Sequence, residues 1–503
     1  MHIYGRFLLV RLNIDAVLRE TTIHRRRQTL SAMTHGLGLR DAYGATLGRI
    51  KRQDGDRARL SIAALMWISH AERPLKADEL CHALSVEIGS PNLNTDNVPS
   101  IGTLLACCQG LIIVQKEVST VRLIHFTLRE YLQVHPELFG AAHSTIAETC
   151  LSYLNSQQVK AFSTSPLPDL LDTPFVEYSS LYWGVHAERN LSDCAKQLAL
   201  KLFDDYNGHI STKILLKAQN LHGVDVDKFS GFSGLHCASY FGIVEIVAGL
   251  VQLEGCDINR TDSTSTTALH WATWRGQEGV VKILLGKDPT PDMLNNNDQT
   301  PLFLAAWNGH EEVVKILLEQ DGVDPNKLDR FGQTPLVGAA RCRQEGVVKI
   351  FLGRDDINSI RPNDEYQTPF FWAARNGLKE VVEILLGRDD FDPDKPNDED
   401  QTPFFWAARN GFEAVVEMLL ARDDVNPDKP DNMGRTPLFI AACYGHEGVV
   451  KMLLAQGVNP DKPNINGRTP FYIAAWNGHE GVAKVLLGRD DVNPNRLDND
   501  SKT

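Results

Sequence analysis

The sequence predicts a mostly α protein, a solenoid of stacked helical pairs preceded by a winged-helix domain. One short phrase recurs eight times at near-constant spacing, its first residue falling at Ser233, Thr267, Thr300, Thr334, Thr368, Thr402, Thr436 and Thr469. It runs from SGLHCA at Ser233–Ala238 to TPFYIA at Thr469–Ala474. A fixed period of that length belongs to solenoids, in which each unit buries its apolar face only against its neighbours. Upstream, residues 57–135 read as three helices followed by a hairpin. With 503 residues, of which 43% are hydrophobic, the chain has material for several packed cores.

Up to Asp56 the chain carries ten basic and five acidic side chains, including Arg25-Arg26-Arg27, a run that reads as a solvated helix face. Ala58 to Ser69 forms an apolar helix around Leu65-Met66-Trp67-Ile68, Arg73-Pro74-Leu75 turns the chain, and Lys76 to Leu84 forms a second helix. Pro99 to Cys108 supplies a third, and Leu111–Glu117 and Val121–Phe126 alternate as the two strands of a hairpin. Three helices and a β-wing make a winged helix. Such folds often bind DNA, but the expected recognition helix, Ser100 to Ala106, carries no Arg or Lys for phosphates or guanine. A structural role is therefore expected, with DNA binding as the lesser alternative.

Thr300 to Leu318, TPLFLAAWNGHEEVVKILL, shows how one repeat works. Thr300 caps a helix with Pro301 at its first position, where the missing N–H costs nothing. Leu302, Ala305 and Ala306 make a face on which helices approach closely, and Gly309 ends the helix in the left-handed region. A second helix follows, with Val313-Val314 and Leu317-Leu318 as its buried stripe. Asp321 to Gln333, rich in Asp, Asn, Gly and Pro, forms a turn and finger. The finger's glycine is kept at Gly231, Gly332, Gly434 and Gly467 and replaced by Ser265, Asp298, Tyr366 and Asp400, so Tyr366 should be strained or mark a reshaped finger. The fourth repeat is the weakest, with Arg343 in place of the helix-ending glycine and Gly338 inside its first helix.

The phrase closely resembles the ankyrin repeat, TPLHxA followed by GHxEVVxxLL, over residues 229–500. The resemblance implies helix–loop–helix units with projecting β-turn fingers, and recognition instead of chemistry. It places the two residues before the helix-ending glycine on the concave face, giving candidate partner-binding residues Tyr240, Trp274, Arg275, Trp307, Arg341, Arg375, Arg409, Tyr444 and Trp476, with Tyr366 on a finger tip. Trp, Tyr and Arg are the residue types that most often carry interface hot spots. The alternative for Trp274 and Trp307 is packing between units. Histidine of TPLH survives only as His236 and His270; Phe303, Val337, Phe371, Phe405, Phe439 and Tyr472 replace it and imply a greasier layer.

WISHAERPLKADELCHALSVE (Trp67–Glu87) and VRLIHFTLREYL (Val121–Leu132) are similar to the winged-helix segment of fungal NACHT–ankyrin proteins, a NOD-like family of signal-transducing ATPases. HPELFGAAHSTIAETCLSYLN (His135–Asn155) and PFVEYSSLYWGVHAE (Pro174–Glu188) resemble the helical connector of that family, and GRFLLVRLNID (Gly5–Asp15) resembles the end of its NACHT module. The resemblance implies four parts: 1–56, a NACHT remnant; 57–135, the winged helix; 136–228, the connector; and 229–503, eight repeats, with Thr503 opening an expected ninth. The winged helix of such proteins also carries the name of a GPI-inositol deacylase, yet no hydrolase motif accompanies it here. The G-x-x-x-x-G-K-[ST] loop that cradles nucleotide phosphates is absent, so no cofactor and no enzymatic activity are expected. His125 is the position a nucleotide-sensing histidine would take, the alternative being a packed, hydrogen-bonded residue.

Charge narrows the partners. From Phe229 onward 27 Lys and Arg stand against 41 Asp and Glu, whereas the chain before it holds 24 against 23. An acidic array repels phosphate backbones, so no nucleic acid is expected, and the finger tips Asp364-Glu365-Tyr366 and Asp398-Glu399-Asp400 favour a protein partner of basic or mixed charge. Paired carboxylates such as Asp355-Asp356, Asp389-Asp390, Asp423-Asp424 and Asp490-Asp491 recur with the repeat and read as solvated loop residues, without the ligand pattern of a calcium loop. Nine scattered cysteines with no CxxC pair give no metal site and read as reduced thiols. No apolar run approaches a membrane span, and the expected location is the cytoplasm. The expected function is a NACHT–ankyrin-type interaction scaffold or sensor, able to self-associate through an uncapped last repeat. The alternatives are one piece of an NTP-driven switch or a decayed gene product.

Overall fold

The computed structural model describes residues 21–28, 39–115, 117–164, 173–204, 206, 208–219, 230–388 and 391–499. The Gly5–Asp15 stretch, Asp389-Asp390 and Thr503 lie outside the described residues. Helix makes up 55% and strand 2% of the structure, the expected mostly α class. The chain divides into two compact units, one reaching Cys256 and including Thr261–Thr264, the other containing Asp257–Arg260 and Ser265 onward.

In the first unit the helix Gly55–His70 starts at Asp54, whose carboxylate accepts from the Arg57 N–H at 3.0 Å, and buries Ala64, Leu65, Met66 and Trp67. The helix Ala77–Ser85 is anchored by a buried carboxylate. Glu79 accepts from the Lys76 N–H at 2.8 Å and from both Arg73 guanidinium nitrogens at 2.8 and 2.7 Å. Ser100 caps the third helix, Ile101–Cys107, by accepting from the Thr103 N–H. The hairpin pairs β1 (Ile112–Gln115) with β2 (Thr120–Leu123), Ile112 opposite Leu123, and a bridge from Lys76 to Thr120 ties it to the second helix. The strands are shorter than the alternation predicts. At their far end the chain turns at His125, whose Nδ1 accepts from the Thr127 N–H at 3.3 Å, so Phe126 opens a helix, Phe126–Gln133. His125 is thus a half-buried capping residue of this helix. Arg25, Arg26 and Arg27 are exposed on their helix.

Ala142–Leu154, Val176–Arg189 and Asp193–Phe203 pack as a helical layer. Trp67 meets Phe175 edge-on at 5.4 Å, and Trp183 meets Phe203 and Phe241 edge-on at 5.9 and 5.2 Å. Phe241 belongs to the first repeat, whose helices are Gly234–Phe241 and Val244–Leu250. The repeat pattern therefore starts inside the first compact unit, because Gly184 and Gly234 leave room for the Phe241 and Phe203 rings.

The second unit contains the remaining seven repeats. The Thr300 hydroxyl accepts from the Phe303 N–H at 3.1 Å, Pro301 opens the helix and Gly309 closes it at φ +80°. The second helix, Glu311–Leu318, buries Val313, Val314 and Leu317, while Leu318 is half-buried. Phe303, Val337, Phe371, Phe405 and Phe439 are all buried where the motif histidine would stand, forming the greasier layer. Where histidine remains, His270 bridges its own cap and the Gln299 carbonyl.

From the second repeat on, each finger is pinned by an Asp or Asn five residues before the capping threonine. The Asp329 carboxylate accepts from the N–H groups of Phe331 (2.9 Å) and Gln333 (2.8 Å), and Asn363, Asn397, Asp431 and Asn464 repeat the pattern. Neighbouring fingers join through backbone bonds, for example from the Asp364 N–H to the Phe331 carbonyl at 3.1 Å. Tyr366 keeps this turn, donating its N–H to the Asn363 carbonyl at 3.0 Å, and bears φ +60°. Of the two outcomes expected for it, strain is the one found.

In the fourth repeat Arg343 also sits at positive φ, +62°. Arg343→Gly is expected to raise stability by about 1 kcal/mol in urea unfolding, because glycine reaches that region without the Cβ penalty. Gly338 is different: a methyl there would lie 3.2–3.3 Å from ring atoms of Phe303 and Trp307, so the glycine accommodates the preceding repeat. Amide exchange across Arg341–Gly346 is expected to be faster than in the neighbouring repeats; equal protection would refute it.

Candidate protein-binding ledge

The residues that precede each helix-ending glycine are positioned by inter-repeat bonds. His310 Nε2 donates to the Trp274 carbonyl at 3.0 Å, Gln344 to that of Trp307 at 3.3 Å, and His446 to that of Arg409 at 2.8 Å. Asn410 Nδ2 donates to the Arg375 carbonyl at 2.8 Å. The last turn of one inner helix is thus fastened to the next repeat. These Asn and His side chains hold the ledge, leaving Trp, Arg and Tyr to form its surface.

The surface is an alternating stack of rings and guanidinium groups. Arg341 lies 5.7 Å from the Trp307 ring centroid and 5.2 Å from that of Trp372. Arg375 lies 4.6 Å from Trp372 and 3.8 Å from Trp406. Arg409 lies 4.4 Å from Trp406 and 5.1 Å from Tyr444, to whose hydroxyl it also donates at 2.9 Å. Guanidinium over an aromatic face is attractive, more so when partly desolvated. Burial and the like charges of Arg409 and Arg341 push the Arg375 pKa down, against the carboxylates of Glu365 and Glu399.

Of the ten expected residues, Trp307, Arg341, Arg375, Arg409 and Tyr444 come together in this stack. Trp274 meets Trp271 edge-on at 5.5 Å, and Arg275 is exposed beside it. Trp476 stacks on Tyr472 and is 71% exposed, and Tyr366 is 59% exposed on its finger. Tyr240 needs correcting as a surface residue: it is 5% exposed, set edge-on against Phe241 in the first compact unit. The stack also contains two members missed in the sequence, Trp372 and Trp406, which sit in TPFFWA one turn earlier. Their signal was there: both repeats that carry Arg in AARNG also carry this tryptophan.

The two are not held alike. The Trp406 indole N–H donates to Gln401 Oε1 at 2.9 Å, and Gln401 in turn donates to Glu399. Trp372 Nε1 is buried with no partner among the described residues. Trp406→Phe should therefore cost about 1 kcal/mol more than Trp372→Phe in thermal unfolding, ring-size loss being common to both.

The periodic carboxylate pairs are not merely solvated. Asp356, Asp424 and Asp491 each pair with the arginine two residues earlier, at 2.7 Å, and these bonds hold their pKa values low. Arg354 and Arg422 then reach back to the carbonyls of Leu318 and Leu386 in the preceding repeat. In the winged helix, Gly102, Thr103 and Ala106 of the third helix face an open depression of about 570 Å³ with Gln53, Asp54 and Arg57. Its Arg57 is paired with Asp54 at 3.6 Å. No helix among the described residues is long and apolar enough to cross a membrane.

Comparison with known families agrees with the repeat architecture. The model for ankyrin repeats (3 copies) matches at residues 187–294, 250–329, 269–361, 353–431 and 423–498, together well over half of the sequence. The chain belongs to the ankyrin-repeat family, whose repeats are scaffolds without catalytic groups of their own. Residues 52–140 match the model described as GPI inositol-deacylase, winged helix domain. No curated protein matches the chain.

Proposed function

We propose that this protein is an interaction scaffold that grips a polypeptide partner along the ledge from Trp307 to Tyr444. The observation that supports this most is the uninterrupted alternation of rings and guanidinium groups across five repeats. Aromatic and arginine side chains concentrated on one strip are the composition of binding hot spots. The partner is of mixed charge, meeting arginines on the ledge and the acidic finger tips around Glu365 and Glu399. Binding, not catalysis, is its role, and the cytoplasm is its expected location. Affinity capture with wild type and with Arg375→Glu plus Arg409→Glu tests the reading: the partner should be recovered only by wild type, and equal recovery would refute it.

A sensor role of the NACHT–ankyrin type is favoured by the winged-helix match at residues 52–140, upstream of the repeats. In that reading 136–228 links the sensing repeats to a signalling module, and an in-frame G-x-x-x-x-G-K-[ST] loop upstream in the transcript would support it. Self-association through the eighth repeat is favoured by its Trp476, which is 71% exposed. Sedimentation of wild type against Trp476→Ala tests it. DNA binding, if it occurs, should fall steeply with salt.

A further inference from the structure

We infer that the ledge selects carboxylates: the partner's docking segment is an extended strip with Asp or Glu two residues apart, received by the N–H donors of Arg341, Arg375 and Arg409. This deepens the recognition reading above and rests on it.

Each of these guanidinium groups lies over two rings, its carbon 3.8–5.7 Å from their centroids, so what it offers a ligand is its fork of N–H donors. That fork matches a planar carboxylate, which it can bind through two parallel hydrogen bonds. Among the described residues none of the three has a carboxylate within ion-pair distance, unlike Arg354, Arg422 and Arg435, which are all paired. Among the described residues the only side-chain hydrogen bond of the three runs from Arg409 to Tyr444. Three like charges packed along one stack are a standing demand for an anion. The carboxylates that act on them from the fingers, Glu365 and Glu399 on Arg375 and Asp329 on Arg341, form no ion pair with them among the described residues.

Spacing sets the form of the ligand. Arg341 and Arg375 lie 5.2 and 4.6 Å from the shared Trp372 ring, so they can be no farther apart than those two lengths laid end to end. Arg375 and Arg409 lie 3.8 and 4.4 Å from Trp406, which bounds their separation more tightly still. An extended chain rises about 3.3 Å per residue, and a polyproline-type chain about 3.1 Å. Carboxylates two residues apart, about 6.6 Å in an extended chain, stay within both bounds, whereas three residues, about 9.9 Å, overshoot the tighter one. A polynucleotide fits poorly, because the array from Phe229 carries 41 acidic against 27 basic residues and repels a continuous polyanion. A peptide with spaced charges can instead turn neutral or basic residues towards the finger carboxylates.

The test is fluorescence anisotropy with the full chain and short labelled peptides. One carries glutamate at every second position between neutral residues. The others carry glutamine or phosphoserine at those positions, or the same glutamates in one block. The spaced-glutamate peptide should bind at least about tenfold tighter than its glutamine version. That advantage should disappear in an Arg341→Gln, Arg375→Gln, Arg409→Gln variant that keeps wild-type circular dichroism, and Arg→Lys at the three sites should recover only part of it. Equal binding of glutamate and glutamine peptides, a preference for the block or phosphoserine peptide or for single-stranded RNA, or no binding at millimolar peptide would overturn the inference. If the affinity-captured partner is still lost on Arg375→Glu plus Arg409→Glu, the scaffold reading stands without it. If that partner is kept, both fall.

Discussion

Gly184→Ala should destabilise the first compact unit by about 2 kcal/mol or more. A Cβ at this position would lie 2.1 Å from Cγ of Phe241 and within 2.5 Å of both its Cδ atoms, closer than side-chain carbons come. Phe241 and Trp183 are both buried and meet edge-on at 5.2 Å, so the ring has nowhere to retreat. Overpacking of this kind costs about 1–3 kcal/mol or more, against a gain of about 1 kcal/mol in helix propensity for alanine over glycine. The loss should appear as an earlier urea transition followed by Trp183 fluorescence, and adding Phe241→Leu should restore most of it. Gly249→Ala is the control. It also sits in a helix of this unit, but nothing among the described residues lies within 4 Å of its would-be methyl, so a small stabilisation is expected. Wild-type stability of Gly184→Ala would show that the first repeat does not pack on that helix.

Acid should weaken the same unit well before its carboxylates protonate. His186 is fully buried; burial foremost, then the neighbouring His143, Arg189 and His70, lower its pKa to about 3. His143 is lowered by burial, Arg189 and His70, with Glu72 opposing, and His70 by burial and Arg129 against a bond to the Met66 carbonyl. His186 and His143 face each other Nδ1 to Nδ1 at 2.8 Å, so one ring must donate and the other must be bare. The Tyr178 hydroxyl accepts from the Glu72 N–H at 3.1 Å and lies 2.9 Å from His186 Nε2, which assigns the proton of neutral His186 to Nδ1. A folded pKa below the unfolded 6.5 means that the unfolded chain binds more protons between about pH 3 and 6.5. Stability is then full above about pH 6.5 and falls as pH drops towards 3. From pH 6.5 to 5 this one group removes about 2 kcal/mol. Urea midpoints measured across that range should fall less steeply in His186→Gln, which cannot ionise; parallel slopes would exclude the histidine pair as the cause.

Much of the repeat array is legible because its determinants are local. A threonine hydroxyl caps the helix it precedes, proline fits the first position, and glycine closes the turn, all within one short phrase of chain. The Asp or Asn pinning each finger is equally local, and it went unread only because it looks like ordinary turn composition. The hairpin shows where local reading fails: alternation from Val121 continues through Phe126, but His125 can cap, so the strand ends at Leu123. Tyr366 and Arg343 were legible as misfits, and both carry the positive φ their positions impose.

The order of repeats, their caps and the ankyrin class follow from the sequence, since each depends on residues a few positions apart. Which side chains meet depends on how one repeat is stacked on the next, a full period further along the chain. That stacking brings Trp372 and Trp406 between the arginines, and in the first unit helix packing likewise sets Phe241 against Trp183 and His143 against His186. Contacts between elements are fixed by close packing of whole surfaces, where a ring or a missing Cβ on one helix chooses its partner on another, and no short window of sequence contains both sides of that choice.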